Sequence, residues 1–388
     1  MDLATARRPS HRKCKRKRRY IGQQGTASVG DDDAAMAMSR FLESGGGVRA
    51  LVESGVTTVP PLFVAPVAPV SSAAVNFVVP SVDLSLPRSD AVALVRAAAR
   101  SSGIFQLTNH GVPAATMDSA LSVVRAFNEQ PLAARSPFYS VSPVGAVSYG
   151  THPIPRPTDG QPVTAPLLPW RDSLLLRFDK LRDPDLRNLP AACRDSLLEY
   201  HRALTRLGKE IAGLLSEGLG VGAERLDPVE GFLMQCHYHP PCPEPERVLG
   251  SREHTDGGLF TVLSQDGVGG LQVRLDGDEW VDVAPVAGTI LVNIGDVLKV
   301  VSNDECRSVE HRVVIKSAQE PRVSIALFFN PAKHGETDFV FGPLPELVTE
   351  EKPARYRSLS WQEMLDNRNA LGHAKPSTLD QFRVTSLN

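Results

Sequence analysis

The sequence predicts an α+β fold, in which helices precede an all-β half of the sandwich or jelly-roll type. Three observations carry this. Apolar residues recur at helical spacing from about residue 89 to 219, the period then shortens to that of strands, and turn signals punctuate the second half at close intervals. With 388 residues, 42% of them hydrophobic, the chain can bury a substantial core.

The first folded element is a short apolar strand, Phe77 to Val79. A helix follows, with Ala91, Leu94, Val95, Ala98 and Ala99 on one face and Ser89 and Asp90 where an N-cap belongs. Gly103 to Leu107 reads as a strand, Asn109-His110-Gly111 as a turn, and Ala114 to Phe127 as a second helix. Residues 134 to 171, rich in Pro, Ser and Gly, read as a long loop. A long amphipathic helix spans Ala191 to Leu219, ending at Gly218 and Gly220. Eight strands are then expected, at 232–239, 258–264, 270–275, 279–283, 289–293, 298–302, 308–315 and 322–329. Asp266-Gly267, Asp276-Gly277 and Asn303-Asp304 supply turns between them.

Charge is unevenly placed. Residues 7 to 19 hold nine Lys or Arg and no acid, which leaves the other 375 residues with a net charge of −11. An acidic body argues against nucleic-acid binding, and the basic run lacks the interleaved aromatics that stack on bases. Arg12 to Arg19 resembles a nuclear localisation signal on an otherwise cytoplasmic protein. The apolar stretch Val59 to Pro80 is interrupted by Pro60, Pro61, Pro66 and Pro69, so no membrane span is expected, nor a secretory leader. Five cysteines without close CxxC pairs fit a reducing compartment. Residues 1–45 are taken as a disordered basic tail, 46–225 as a helical region, 226–375 as the catalytic jelly roll, and 376–388 as a C-terminal tail.

The chemistry centres on His254-Thr255-Asp256, whose outer residues share a face if the segment is extended. A non-haem Fe(II) centre needs two His and one carboxylate. His311 supplies the third ligand, 55 residues after Asp256. Arg322 follows, and alternation places Arg322, Ser324, Ala326 and Phe328 on one face of a strand. An inward Arg with a hydroxyl two residues on is a carboxylate clamp.

In this combination of HxD, distal His and RxS, the sequence resembles the plant-type iron(II) and 2-oxoglutarate-dependent dioxygenases over roughly residues 45 to 375. Val79-Pro80-Ser81-Val82-Asp83-Leu84, Phe105 to Val112, Gly269 to Val273 and Asn293-Ile294-Gly295-Asp296 also match. Leu51 to Pro60, Trp170-Arg171-Asp172-Ser173 and His237 to Pro245 are similar to the branch named as 1-aminocyclopropane-1-carboxylate oxidase homologues, which includes benzoxazinoid, indole-alkaloid and glucosinolate hydroxylases. The resemblance implies a double-stranded β-helix (jelly roll, cupin-like) with flanking N-terminal helices. It implies Fe(II) on His254, Asp256 and His311, 2-oxoglutarate on Arg322 and Ser324, and ascorbate as reductant. The protein would then be a monomeric enzyme using O2 to hydroxylate a small, aromatic or indole-type metabolite. One alternative is a true 1-aminocyclopropane-1-carboxylate oxidase using ascorbate; another is an inactive nuclear binding protein.

Related enzymes commonly carry Tyr where this chain has His239, which leaves that residue's contact with 2-oxoglutarate open. Phe328 and Phe260 are candidates for lining a substrate pocket. His334-Gly335-Glu336 is a decoy, because a distal His at the same spacing from Glu336 would fall at 391. His110, His201, Cys236 and Cys242 are expected to be structural.

Overall fold

The structure, a computed structural model, describes residues 29–66, 77–141, 145–152, 168–178, 180–181, 183–226, 229–276, 279–330, 339–371 and 379–384. The basic run at 7–19 and His334 lie outside the described residues. In chain order the N-terminal half forms α1 (Val29–Glu43), α2 (Gly47–Glu53), β1 (Ser81–Asp83), α3 (Arg88–Ser101), β2 (Ile104–Thr108), α4 (Ala114–Asn128) and α5 (Leu132–Arg135). It continues with β3 (Val147–Gly150), β4 (Asp172–Arg177) and the long α6 (Ala191–Gly218). The second half contributes β5 (Glu230–His239), β6 (Leu249–His254), β7 (Phe260–Gln265), β8 (Leu271–Arg274), β9 (Trp280–Asp282) and β10 (Ile290–Ile294). After α7 (Asp296–Val301) come β11 (His311–Val314), β12 (Arg322–Asn330), β13 (Val340–Phe341), β14 (Leu359–Ser360) and α8 (Trp361–Leu371).

Two sheets make the jelly roll. The large one runs β1-β2-β10-β7-β12-β5-β4-β3, and the small one β6-β11-β8-β9. Every pairing in them is antiparallel except β1 with β2. Strands from both sides of the expected 225/226 boundary share the large sheet, so the helical region and the jelly roll are joined by backbone hydrogen bonds. The outer face of this sheet packs on α3, α4 and α6, where Leu197, Tyr200, Leu204, Leu207, Ile211 and Leu215 are buried at helical spacing. The inner face looks toward the small sheet.

Four expectations need correction. The expected strand 298–302 is instead the end of α7 and its C-cap, Ser302: a short apolar run reads the same in either conformation, and here Asp296 opens a helical turn after Gly295. Phe77 to Val79 is irregular, and the strand begins at Ser81. Pro87, not Ser89 or Asp90, precedes α3, with no side-chain cap. The supposed loop 134–171 includes β3, and β6 lay unrecognised in 249–254.

Residues 29–43, within the expected tail, form α1. Its Met38 and Leu42 are buried with Val48, Phe63, Trp170 and Val248, and Phe41 meets the Phe63 ring edge-on at 5.2 Å. The acidic start of this helix obscured an apolar stripe of only a few residues. Asp172 supports α2 next to it. Its carboxylate accepts from the N–H groups of Val48 and Arg49 at 2.9 and 2.8 Å and from Thr151 Oγ1 at 2.5 Å. Gly47, at φ +66, leaves the space the carboxylate occupies. The described thiols of Cys193, Cys236, Cys242 and Cys306 are free and buried. Among the described residues no helix is long and apolar enough to cross a membrane.

The docking of α1 is testable. Leu42→Ala should destabilise the chain by about 2 kcal/mol, the low end for a buried leucine, seen as a lower denaturant midpoint at unchanged slope. A chain beginning at Gly45, which also lacks Met38 and Phe41, should lose more, whereas one beginning at residue 29 should melt like the full chain.

Candidate active site

The small sheet brings two histidines together. β11 and β6 pair in the register His311↔His254, and the imidazole centroids lie 4.2 Å apart. Each ring is oriented by its own backbone: His254 Nδ1 lies 2.7 Å from the Arg252 carbonyl, and His311 Nδ1 3.2 Å from that of Val309. A carbonyl can only accept, so both Nδ1 atoms carry the proton and both Nε2 atoms present a lone pair. Asp256 Oδ1 sits 3.8 and 3.7 Å from these two nitrogens, and the three ligand atoms lie within 4.8 Å of one another. Asp256 is 4% exposed, and its Oδ2 has no hydrogen-bond partner. Such a carboxylate is costly to bury unless a cation meets it. The donor set, two imidazole nitrogens and one carboxylate, suits a non-haem Fe(II) ion.

The same-face premise for His254 and Asp256 holds only in part. β6 ends at His254, and Asp256 lies in the loop that follows. A buried polar knot sets that loop. Asp296 accepts from Thr255 Oγ1 at 3.0 Å, Ser308 Oγ at 2.8 Å and Arg368 Nη1 at 3.0 Å. Arg368 Nη2 also donates to the Thr255 carbonyl at 2.9 Å, and the Asp296 N–H to that of Asp256 at 2.8 Å. Burial pushes the Asp296 carboxyl up, while Arg368 and the two hydroxyls oppose the shift.

Across the cavity, Arg322 and Ser324 project from the middle of the large sheet, 4% and 2% exposed. Arg322 Nη1 donates to Ser324 Oγ at 2.8 Å and Nη2 to Gln265 Oε1 at 2.9 Å, while Nε has no partner. Burial lowers its pKa to about 10, so it stays cationic at neutral pH. Asp266 opposes that shift, but its carboxylate already binds Arg125 at 2.9 Å and the Val323 N–H at 2.6 Å. A desolvated guanidinium beside a hydroxyl is an anion site.

β5 pairs with β12 so that His239 faces Arg322 and His237 faces Ser324. Burial and the neighbouring Arg322 and Arg171 hold His239 well below the usual histidine range, and neither of its ring nitrogens has a well-formed hydrogen bond. His237, displaced in the same direction by burial first and Arg171 second, lies 2.8 Å from Ser173 Oγ through Nδ1.

The triad, Arg322 and Ser324 line one cavity of about 80 Å³, together with Arg171, His237, Thr261, Asn293 and the apolar Leu263, Leu271, Val313, Ala326 and Phe328. Phe328 is therefore a wall residue as expected. Phe260 is not: it pairs with Phe329, stacks on that ring at 4.8 Å and points into the core, while Thr261 and Leu263 take the cavity side of β7. His110 bonds to the Gly288 carbonyl and the Val112 N–H, and His201 stacks on Phe178 and bonds to the Gly231 carbonyl. Both are structural. Arg171, Gln265, Asp296 and Arg368 received no role from the sequence. Alternation along β4, β5 and β7 could have flagged the first two, whereas the Asp296–Arg368 pair spans 72 residues and leaves no local signal.

Residues 230–331 match the 2OG-Fe(II) oxygenase superfamily and residues 79–193 the non-haem dioxygenase N-terminal family described from morphine synthesis. The chain is 32% identical to 1-aminocyclopropane-1-carboxylate oxidase homolog 6 of Arabidopsis thaliana over 91% of its own length and 98% of the relative's. It is 33% identical to a 1-aminocyclopropane-1-carboxylate oxidase homolog of Solanum lycopersicum, over 91% and 97%. Among solved structures, it is similar to JOX2 in complex with 2OG, Fe and JA, at a TM-score of 0.74 and 29% identity, covering 87% of this chain and 98% of that one. It is also similar to the rice dioxygenase for auxin oxidation, at a TM-score of 0.63 and 25% identity, covering 79% and 100%.

Two outcomes follow from this geometry. Arg368→Leu should release the Asp296 knot and weaken divalent-metal affinity by about 10–100-fold, read by Mn(II) titration. His237 and His239 are neutral in the fold but protonate near pH 6.5 once unfolded. Their contribution to stability is therefore complete above that pH and is lost as pH falls below it. Denaturant melts between pH 7.5 and 5 should show the loss, and a His237→Gln/His239→Gln chain should lose less.

Proposed function

Since the chain belongs to the 2OG-Fe(II) oxygenase superfamily and is a 2-oxoglutarate- and Fe(II)-dependent dioxygenase of the 1-aminocyclopropane-1-carboxylate oxidase-homologue type, we propose that it hydroxylates a small aromatic or indole-type metabolite in the cavity between its two sheets. His254, Asp256 and His311 would hold the iron, while Arg322 and Ser324 would bind the distal carboxylate of 2-oxoglutarate. One observation carries this reading: a three-ligand cluster with an orphan carboxylate oxygen and a buried guanidinium–hydroxyl pair border the same small cavity.

When bound, Fe(II) supplies the oxygen-activating chemistry that couples decarboxylation of 2-oxoglutarate to succinate and CO2 with oxidation of the substrate. The chain's own residues do the rest. The Arg252 and Val309 carbonyls keep both ligand rings in the tautomer that presents Nε2. Arg322 neutralises and orients one end of the cosubstrate, and Ser324 adds a neutral hydrogen bond. Leu263, Leu271, Val313 and Phe328 exclude water from the reacting centre. The flat face of Phe328 supports an aromatic substrate, as do the similar enzyme for auxin oxidation and the branch motifs at 51–60, 170–173 and 237–245. Free, buried thiols support a reducing compartment, the cytoplasm.

The test is substrate-dependent succinate formation from 2-oxoglutarate with Fe(II) and ascorbate, across a panel of aromatic and indole metabolites. His311→Ala should lower metal occupancy and turnover together. Arg322→Lys should raise the 2-oxoglutarate KM by about tenfold or more, and Arg322→Ala should nearly abolish coupled turnover. Ethylene release from 1-aminocyclopropane-1-carboxylate with ascorbate and without 2-oxoglutarate would replace this reading with that of a true oxidase.

A further inference from the structure

Arg171 is the one cavity cation that the cosubstrate site leaves unexplained. It stands immediately before β4, and the β4–β5 register, Asp172↔Tyr238 and Ser173↔His237, sets it beside His239. Arg322 flanks His239 from the other side. With neighbouring strands about 4.8 Å apart, the two arginines leave the sheet about 10 Å from each other. Arg322 is tied to Gln265 on β7, the strand on the far side of β12 from β5, so its guanidinium is held away from Arg171. One carboxylate held by Arg322 and Ser324 is therefore poorly placed to serve both.

Among the described residues no carboxylate pairs with the Arg171 side chain, and it borders the cavity together with the metal triad. Burial and the repulsion of Arg322 lower its pKa to about 10, and no acid opposes the shift. It remains charged at neutral pH. The histidines beside it, His237 and His239, are held neutral and supply no counter-charge. Among the described residues the cavity thus sets two arginines, and in the proposed reading a divalent metal, against a single lining carboxylate, Asp256. Dianionic 2-oxoglutarate leaves one positive charge without a partner, and an uncompensated charge is costly at a half-buried position beside a second arginine.

We propose that Arg171 is a specificity-determining residue that binds an anionic group of the substrate, so that the enzyme acts on an aromatic carboxylic acid in preference to its neutral counterpart. This deepens the proposed function and rests on 2-oxoglutarate and iron binding where that reading puts them. The planar guanidinium offers two parallel donors to a carboxylate, and the acid's apolar body would extend toward Phe328 and Ala326. Asp172, the next residue, is occupied by α2 and does not compete for the guanidinium.

Calorimetry on the full chain loaded anaerobically with Mn(II) separates the possibilities. 2-Oxoglutarate is titrated first, followed by phenylacetate or indole-3-acetate, each compared with its amide. The acids should bind at least tenfold more tightly than the amides. Arg171→Gln should remove that preference while changing the 2-oxoglutarate Kd by less than twofold, and Arg171→Lys should restore part of it. Acids that bind wild-type protein no better than their amides overturn the proposal without reliance on any variant. A tenfold loss of 2-oxoglutarate affinity in Arg171→Gln overturns it too, by assigning Arg171 to the cosubstrate. Failure of 2-oxoglutarate to bind the wild-type chain in a metal-dependent way would remove the underlying reading, and this inference with it.

Discussion

The position of β12 between β5 and β7 is the constraint on which the rest of the structure depends. Backbone hydrogen bonds on both edges fix its register over most of its length, and a slip of one residue would exchange its two faces. On the inner face it delivers Arg322, Ser324, Ala326 and Phe328 to the cavity. On the outer face it delivers Val323, Ile325, Leu327 and Phe329 to the core shared with α6. The contact is close: Phe329 stacks on Phe260 and lies against Gly208 of α6, where even a methyl group would collide with the ring. The long helix therefore helps hold the strand that carries Arg322 and Ser324.

Three sequence segments that set this chain within one branch of its family meet in space. Trp170 Nε1 donates to the Pro240 carbonyl at 3.1 Å, and the Val59 N–H donates to Glu244 at 2.6 Å. Trp170 also packs on Phe63, and Asp172 binds the N-terminus of α2. The motifs thus form one brace that fastens the N-terminal helices to the end of β5. Arg171, between Trp170 and Asp172, is carried into the cavity by residues whose own contacts are structural.

The site's electrostatics come from burial more than from ion pairing. Arg322 is buried and Arg171 half-buried, neither paired with a carboxylate among the described residues, and His237 and His239 are held neutral by burial first and by these two cations second. His239 in place of the family's common Tyr keeps a ring there but no hydroxyl. Gly250 makes room for it, since a Cβ at that position would come within 2.5 Å of the ring. On the opposite wall, Asp296 is satisfied by two hydroxyls and Arg368, which ties the loop carrying Asp256 to α8.

By itself the sequence determined α3, α4 and α6 of the N-terminal half, most strands of the second half, the choice of His254, Asp256 and His311 as a candidate ligand set, which the fold brings together, and the shared face of Arg322 and Ser324. These were legible because they rest on local periodicity, on alternation within one strand, or on spacings characteristic of a family. Only the tertiary structure decided that 298–301 is helical, that α1 packs, that Phe260 faces the core, and that Asp256 reaches His254 from a loop. It alone brought Arg171, from a segment before β4, into the same cavity as Arg322. The physical reason is common to all of these: burial and long-range pairing choose between conformations that a short apolar or polar run supports equally well, and a charge acquires its role from the charges the fold places or omits around it.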